Sequence, residues 1–228
     1  TAVQPVAGFQ KVEDFYFHAD FMVPTNEENI LPEWQIHSGE WDIHTVLDDA
    51  LEQKTPAKKR KRQPDPERSP NFYSLTGTGH VALITTGYSF YDHYQLEAAI
   101  LTKPGEMGLV FYFQNPSNYY AFTIQLDRDY TRPAVLGLWK TDPVGTTIQR
   151  RQLAAVTTQM LPDQWVMSRV VIGLNRVQCW LDNVMVIDVP VELPPGGCGG
   201  LMIDSALPVR FDDIEMQSTR ELDLRTCG

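Results

Sequence analysis

Hydrophobic and polar residues alternate with a period of two in several segments of this chain, and sustained helical periodicity is rare. On the run Met107 to Gln114, Leu109, Phe111 and Phe113 share one side, while Val110, Tyr112 and Gln114 share the other. The first side reads as core and the second as an exposed, concave surface. Similar runs rich in Val, Ile, Tyr, Phe and Thr predict strands at Asp14 to Met22, Glu33 to His37, Glu40 to Thr45, Asn71 to Leu75, His80 to Thr85 and His93 to Thr102. Further strands are predicted at Met107 to Gln114, Tyr119 to Asp127, Ala134 to Thr141, Thr146 to Ala154, Trp165 to Leu174, Arg176 to Leu181, Val184 to Val189, Cys198 to Asp204 and Val209 to Gln217. Turn signals separate them at Lys103-Pro104-Gly105, Asn115-Pro116-Ser117-Asn118, Asp142-Pro143-Val144-Gly145 and Leu181-Asp182-Asn183. Many short strands with regular turns predict an all-β sandwich or barrel, and 228 residues suit one large domain of that kind.

One segment breaks the pattern. Residues 54–70 hold Pro56, Pro64, Pro66 and Pro70 around Lys58-Lys59-Arg60-Lys61-Arg62. Proline interrupts ladder pairing and like charges repel, so a projecting loop is expected, either a solvated insertion or a docking arm for an acidic partner, a membrane surface or nucleic acid. Thr45 to Gln53, just before it, suits a short helix. Residues 218–228 read as a polar C-terminal tail. No internal repeat is evident.

The formal net charge is −10, and the basic segment makes the remainder more acidic still. Such a body repels phosphate backbones, so general nucleic-acid binding is not expected, whereas neutral glycans or cations suit it better. No stretch approaches the ~20 apolar residues of a membrane-spanning helix. Thr1 to Gln10 shows neither the basic start nor the apolar run of a signal peptide. The three cysteines match no zinc or redox spacing. Cys179, in an apolar strand, reads as a small buried hydrophobe. Cys198 and Cys227 are available to pair if the chain is exported, and Cys227 is equally placed to bond another chain.

Five landmarks recur in a recognisable order: Asp20-Phe21 (or Asp14-Phe15), Trp34 to Trp41 with Gly39 between, Gly108-Leu109-Val110-Phe111 with Asn118-Tyr119-Tyr120, Trp165 to Leu174 with Trp180-Leu181-Asp182-Asn183, and Phe211-Asp212-Asp213-Ile214. In this order they resemble the concanavalin A-like lectin/glucanase superfamily, including its laminin-G-like and keto-disaccharide hydrolase-like members. The resemblance spans about residues 14–217 apart from the basic insertion. It implies a jelly roll of two antiparallel sheets, exported, periplasmic or cell-surface. It also implies a structural calcium held by Asp20, Asp212 and backbone oxygens at Gly39, since hard cations take oxygen ligands.

Catalytic motifs are poorly matched. Glu40-Trp41-Asp42-Ile43-His44 looks briefly like the Glu-x-Asp-x-x-Glu strand of family 16 glucanases, but the third acid is missing. Thr123-Ile124-Gln125-Leu126 lacks the acid expected of the keto-disaccharide hydrolase-like group. None of His18, His37, His44, His80 and His93 belongs to a nucleophile elbow. Gly196-Gly197-Cys198-Gly199-Gly200 lacks the Lys of a phosphate loop and reads as a tight lead into a strand. The expectation is therefore a non-catalytic module binding carbohydrate, with Tyr112, Gln114, Tyr119 and Trp139 as contacts on the concave sheet. The alternatives are an accessory subunit docking a protein partner through Lys58, Lys59, Arg60, Lys61 and Arg62, and a glycoside-acting hydrolase.

Overall fold

The computed structural model describes residues 16–19, 34–45, 73–129, 131–161 and 163–219. These build twelve strands: β1 Tyr16–Ala19, β2 Trp34–Thr45, β3 Tyr73–Thr86, β4 Tyr94–Leu101, β5 Gly105–Asn115, β6 Asn118–Leu126, β7 Ala134–Val144, β8 Thr147–Thr158, β9 Trp165–Gly173, β10 Arg176–Leu181, β11 Val184–Pro190 and β12 Cys198–Ser218. Among the described residues there is no helix, and every strand pairing is antiparallel.

The strands form two layers joined through long strands that belong to both. In the first layer β11, β10, β9 and β4 lead to the C-terminal part of β12, whose far side pairs with β1 and with β3 at Leu75–Gly77. In the second, the N-terminal part of β12 pairs with β3 on one side and β5 on the other, and β6, β7 and β8 follow. Alternation explains the layers. β9 buries every second residue, so Val166, Ser168, Val170 and Ile172 face inward. Leu96, Ile100, Val170, Ile172 and Val177 of the first layer share one apolar core with Leu109, Phe122, Ile124, Leu136 and Leu138 of the second. Full burial of such side chains contributes roughly 1.5–3 kcal/mol each. On the open side of the sandwich, β8 approaches β11.

Three pairs of predicted strands are single strands that bend. β2, β3 and β12 each run through positions where the pattern predicts a break, and their pairing slips there, between Ile36 and Glu40 and between Ile203 and Val209. The extra residues at these bulges turn each strand from one layer to the other. Gly39 shows why a glycine sits at the bend: its φ is +78°, and a Cβ would lie 2.2 Å from Cβ of Ala82.

A second bulge corrects the face assignment on β5. The β5–β6 register shifts between Phe111 and Asn115, and Tyr112 adopts φ 47°. Phe111 and Tyr112 therefore both face the core, and the parity beyond them inverts. Tyr94 holds the bulge: its hydroxyl accepts a hydrogen bond from the Tyr112 N–H at 2.9 Å and lies 3.2 Å from the Cys198 carbonyl, to which it donates. The Tyr94 and Tyr112 rings stack at 5.6 Å. Phe113, predicted to be core, instead joins Leu83, Val110, Tyr119, Ala121 and Met202 in a smaller apolar cluster on the opposite face of the second layer.

Candidate functional site

The outward face of the second layer carries a built polar cluster. Register aligns Asp204, Glu106 and Gln125 in one cross-strand row, then Met202, Gly108, Thr123 and Gly137, then Val110, Ala121, Trp139 and Gln152. Trp139 lies flat toward the middle row because Gly137 has no side chain; a Cβ there would come within 2.4 Å of the indole nitrogen. From this position Trp139 Nε1 donates to Thr123 Oγ1 at 3.0 Å, and the Thr123 hydroxyl donates to Glu106 Oε1 at 2.6 Å. Arg150, from the edge strand β8, reaches across the indole with its guanidinium 4.2 Å from the ring centroid. It grips Glu106 with both terminal nitrogens, one of them 2.7 Å from Oε2.

The energetics follow from burial. The Glu106 side chain is only 11% exposed, so its charge would be costly without the Arg150 fork and the Thr123 hydroxyl. Arg150 is one third exposed, and Gln125, the cross-strand partner of Glu106, and Gln152, two residues from Arg150 along β8, are exposed. At the far end of the first row, His80 and Asp204 pair at 2.9 Å. The array thus offers solvent a guanidinium, carboxylate oxygens and two amides in fixed positions. Such groups can exchange hydrogen bonds with a ligand rich in hydroxyls.

Of the four residues expected to contact carbohydrate, Trp139 alone belongs to this cluster, and its outer face is covered by Arg150. Tyr112 is 2% exposed and Tyr119 5%, so neither ring offers a face for stacking. The bulge explains Tyr112, and membership of the second apolar cluster explains Tyr119. Gln114 is exposed, and its amide ties β5 to the Gly196 carbonyl. Glu106, Thr123 and Arg150 were missed by the sequence reading. The Asp142-Pro143-Val144-Gly145 turn was the available signal, because a hairpin closing at Val144 and Thr147 places Arg150 beside Thr141 and one step from Trp139.

Of the residues implied for calcium, Gly39 and Asp212 lie apart from each other. Gly39 packs on Thr78 and Ala82 of β3, whereas Phe211, next to Asp212, pairs with Leu75. At ~3.3 Å per residue this separates them by about 10 Å or more along the strand. Asp212 is 1% exposed, and its Oδ1 accepts from the Asp213 N–H at 2.8 Å. Asp20 lies outside the described residues, as do Lys58, Lys59, Arg60, Lys61, Arg62, the Thr45–Gln53 helix beyond Thr45 and Cys227. Among the described residues, no cluster of three or more His, Cys, Asp or Glu is placed to hold a metal ion. Cys198 is a half-buried free thiol facing the Gly87 carbonyl at 3.5 Å. Cys179 is fully buried and free, as expected, and burial pushes its thiol pKa far up.

Glu40, Asp42 and His44 share a side of β2, with Glu40 and Asp42 exposed. His37 lies apart from them; its Nε2 is 2.8 Å from Thr85 Oγ1, and partial burial lowers its pKa. Among the described residues no helix is long and apolar enough to cross a membrane.

No known family profile and no curated protein sequence matches the chain. Several solved structures share its fold. The carbohydrate binding module CBM66 from Bacillus subtilis superposes with a TM-score of 0.58 at 16% identity, over 82% of this chain and 96% of that one. A Bacillus subtilis protein of unknown function with a galectin-like fold gives 0.54 at 11% identity, over 89% and 94%. The apo Crh5 transglycosylase gives 0.51 at 10% identity, over 89% and 84%. At such identities the likeness concerns architecture. It is that of an antiparallel jelly-roll sandwich, in keeping with the concanavalin-like resemblance and without singling out one family within it.

Proposed function

We propose that this chain is a carbohydrate-binding module whose ligand lies on the outward face of β5, β6, β7 and β8. The observation that carries the reading is the Glu106–Arg150 fork clamped over Trp139. A charged pair held this firmly, flanked by exposed Gln125 and Gln152, is pre-organised to donate to and accept from sugar hydroxyls. The fold it shares with CBM66 is in line with that role. Recognition then rests on hydrogen bonding. Trp139 acts as the plate that keeps the guanidinium flat, and its own outer face is not the stacking surface.

Affinity electrophoresis against a panel of neutral polysaccharides tests this, with Arg150→Ala and Glu106→Gln beside the parent chain. At least one polysaccharide should retard the parent, and both variants should bind about tenfold more weakly, equivalent to ~1.4 kcal/mol. A parent that passes every polysaccharide unretarded, or variants that bind as well as the parent, would overturn the reading.

A further inference from the structure

Alternation along β7 and β8 sends neighbouring residues to opposite faces. Trp139 and Arg150 go outward, while Lys140, Asp142 and Arg151 go inward at the mouth between the two layers. There they line a cavity of about 460 Å³ with Tyr120 and Leu153, closed on the far side by Val189, Pro190, Val191 and Glu192 at the end of β11. That volume falls within the ~300–1,000 Å³ of small-molecule sites.

The base of the cavity is fixed. Lys140 Nζ donates to Asn118 Oδ1, to the Thr141 carbonyl at 3.3 Å and to Asp142 Oδ1 at 3.1 Å, and it sits 4.4 Å above the Tyr120 ring. Tyr120 in turn donates to the Glu192 carbonyl at 2.7 Å, which ties β6 to the segment after β11. Lys140 has thus used its three protons and is not free to bind anything else. The rim differs. Among the described residues, neither the Arg151 guanidinium nor the Glu192 carboxylate has a hydrogen-bond or ion-pair partner.

We propose that this mouth is a second binding site, for one neutral sugar unit, back to back with the outward face and independent of it. Three features select that ligand class. The lining holds two cations, Lys140 and Arg151, and two anions, Asp142 and Glu192, so a charged ligand gains no net attraction. The unengaged groups are one strong donor and one strong acceptor, and a hydroxyl can serve both. Leu153, Val189, Pro190 and Val191 supply an apolar wall against which the C–H side of a sugar ring can lie. The site is a pocket, so it takes a terminal or free sugar unit where the outward face takes a length of chain.

The test is methyl-detected NMR on the intact chain, titrated separately with methyl glucopyranoside, methyl galactopyranoside, methyl fructofuranoside and glucuronate. A neutral glycoside is expected to shift the Leu153, Val189 and Val191 methyls. Arg151→Gln and Glu192→Gln, both at exposed positions and checked for unchanged thermal unfolding, should each weaken that response about tenfold. The proposal fails if those methyls stay still with all four probes or respond to glucuronate alone. It fails equally if both variants bind as tightly as the parent. The methyls of Val135 and Ala155 report the outward face. Shifts confined to them would sink the mouth site and support the outward-face reading, and shifts confined to the mouth would support this site alone.

Discussion

Tyr94→Phe should destabilise this protein by roughly 1–3 kcal/mol, although the substitution removes a single oxygen. The ring is fully buried and stacked on Tyr112, and Phe preserves both its volume and that contact. What is lost is the acceptor for the Tyr112 N–H, 2.9 Å away, and the donor facing the Gly197 and Cys198 carbonyls at 3.3 and 3.2 Å. Those groups belong to the β5 bulge and to the strand start beside it, where the ladder register is already broken. The cost of burying them without a partner is not recovered from water. For a chain of this size, ~2 kcal/mol corresponds to a fall of about 4–8 °C in the unfolding midpoint. Scanning calorimetry on parent and variant at one pH and concentration measures it. A midpoint within about 1 °C of the parent would refute the argument, because the bulge would then be held by something other than that hydroxyl.

Gly137→Ala brings a methyl within 2.4 Å of the Trp139 indole nitrogen, so the ring must leave Thr123 and the Arg150 contact with it; altered tryptophan fluorescence together with weakened polysaccharide retardation is the expected pair of results. Glu97 has a pKa raised by burial, with Glu215 and Asp213 adding to the shift and Arg169 opposing it. The folded state therefore holds that proton to higher pH than the unfolded chain. The stability it contributes is complete below the unfolded value and is lost as pH rises through the folded one. Glu97→Gln should accordingly raise the urea midpoint near about pH 8 and leave it almost unchanged near about pH 3. Burial raises the pKa of both Cys179 and Cys198, but only Cys179 is fully enclosed; a thiol reagent should label Cys198 first and reach Cys179 on the timescale of global unfolding.

The sequence by itself determined the class of structure. Period-two alternation is a local property, and each strand carries its own record of which residues face inward. The turn chemistry at residues 115–118, 142–145 and 181–183 located three hairpins for the same reason, and that at 103–105 located the connection from β4 to β5. Cys179 could be recognised as buried from its neighbours alone. Local pattern fails where parity changes. Nothing in Phe111-Tyr112-Phe113 states that two consecutive residues face the core. That depends on the hydroxyl of Tyr94 and on Gly197, whose close approach to the Tyr112 backbone leaves no room for a side chain. The bends of β2, β3 and β12 were hidden in the same way, because a bulge looks like a strand end until its partner strands are known.

Tertiary structure alone decided the site. Glu106 and Arg150 lie far apart in the chain, and their meeting requires the register of three successive strand pairings, β5–β6, β6–β7 and β7–β8. It also requires one flat position, Gly137, that lets Trp139 lie down toward Thr123. Arg150 and Arg151 are adjacent in sequence, and only the pairing of β8 with β7 sends one to the outward face and the other to the mouth.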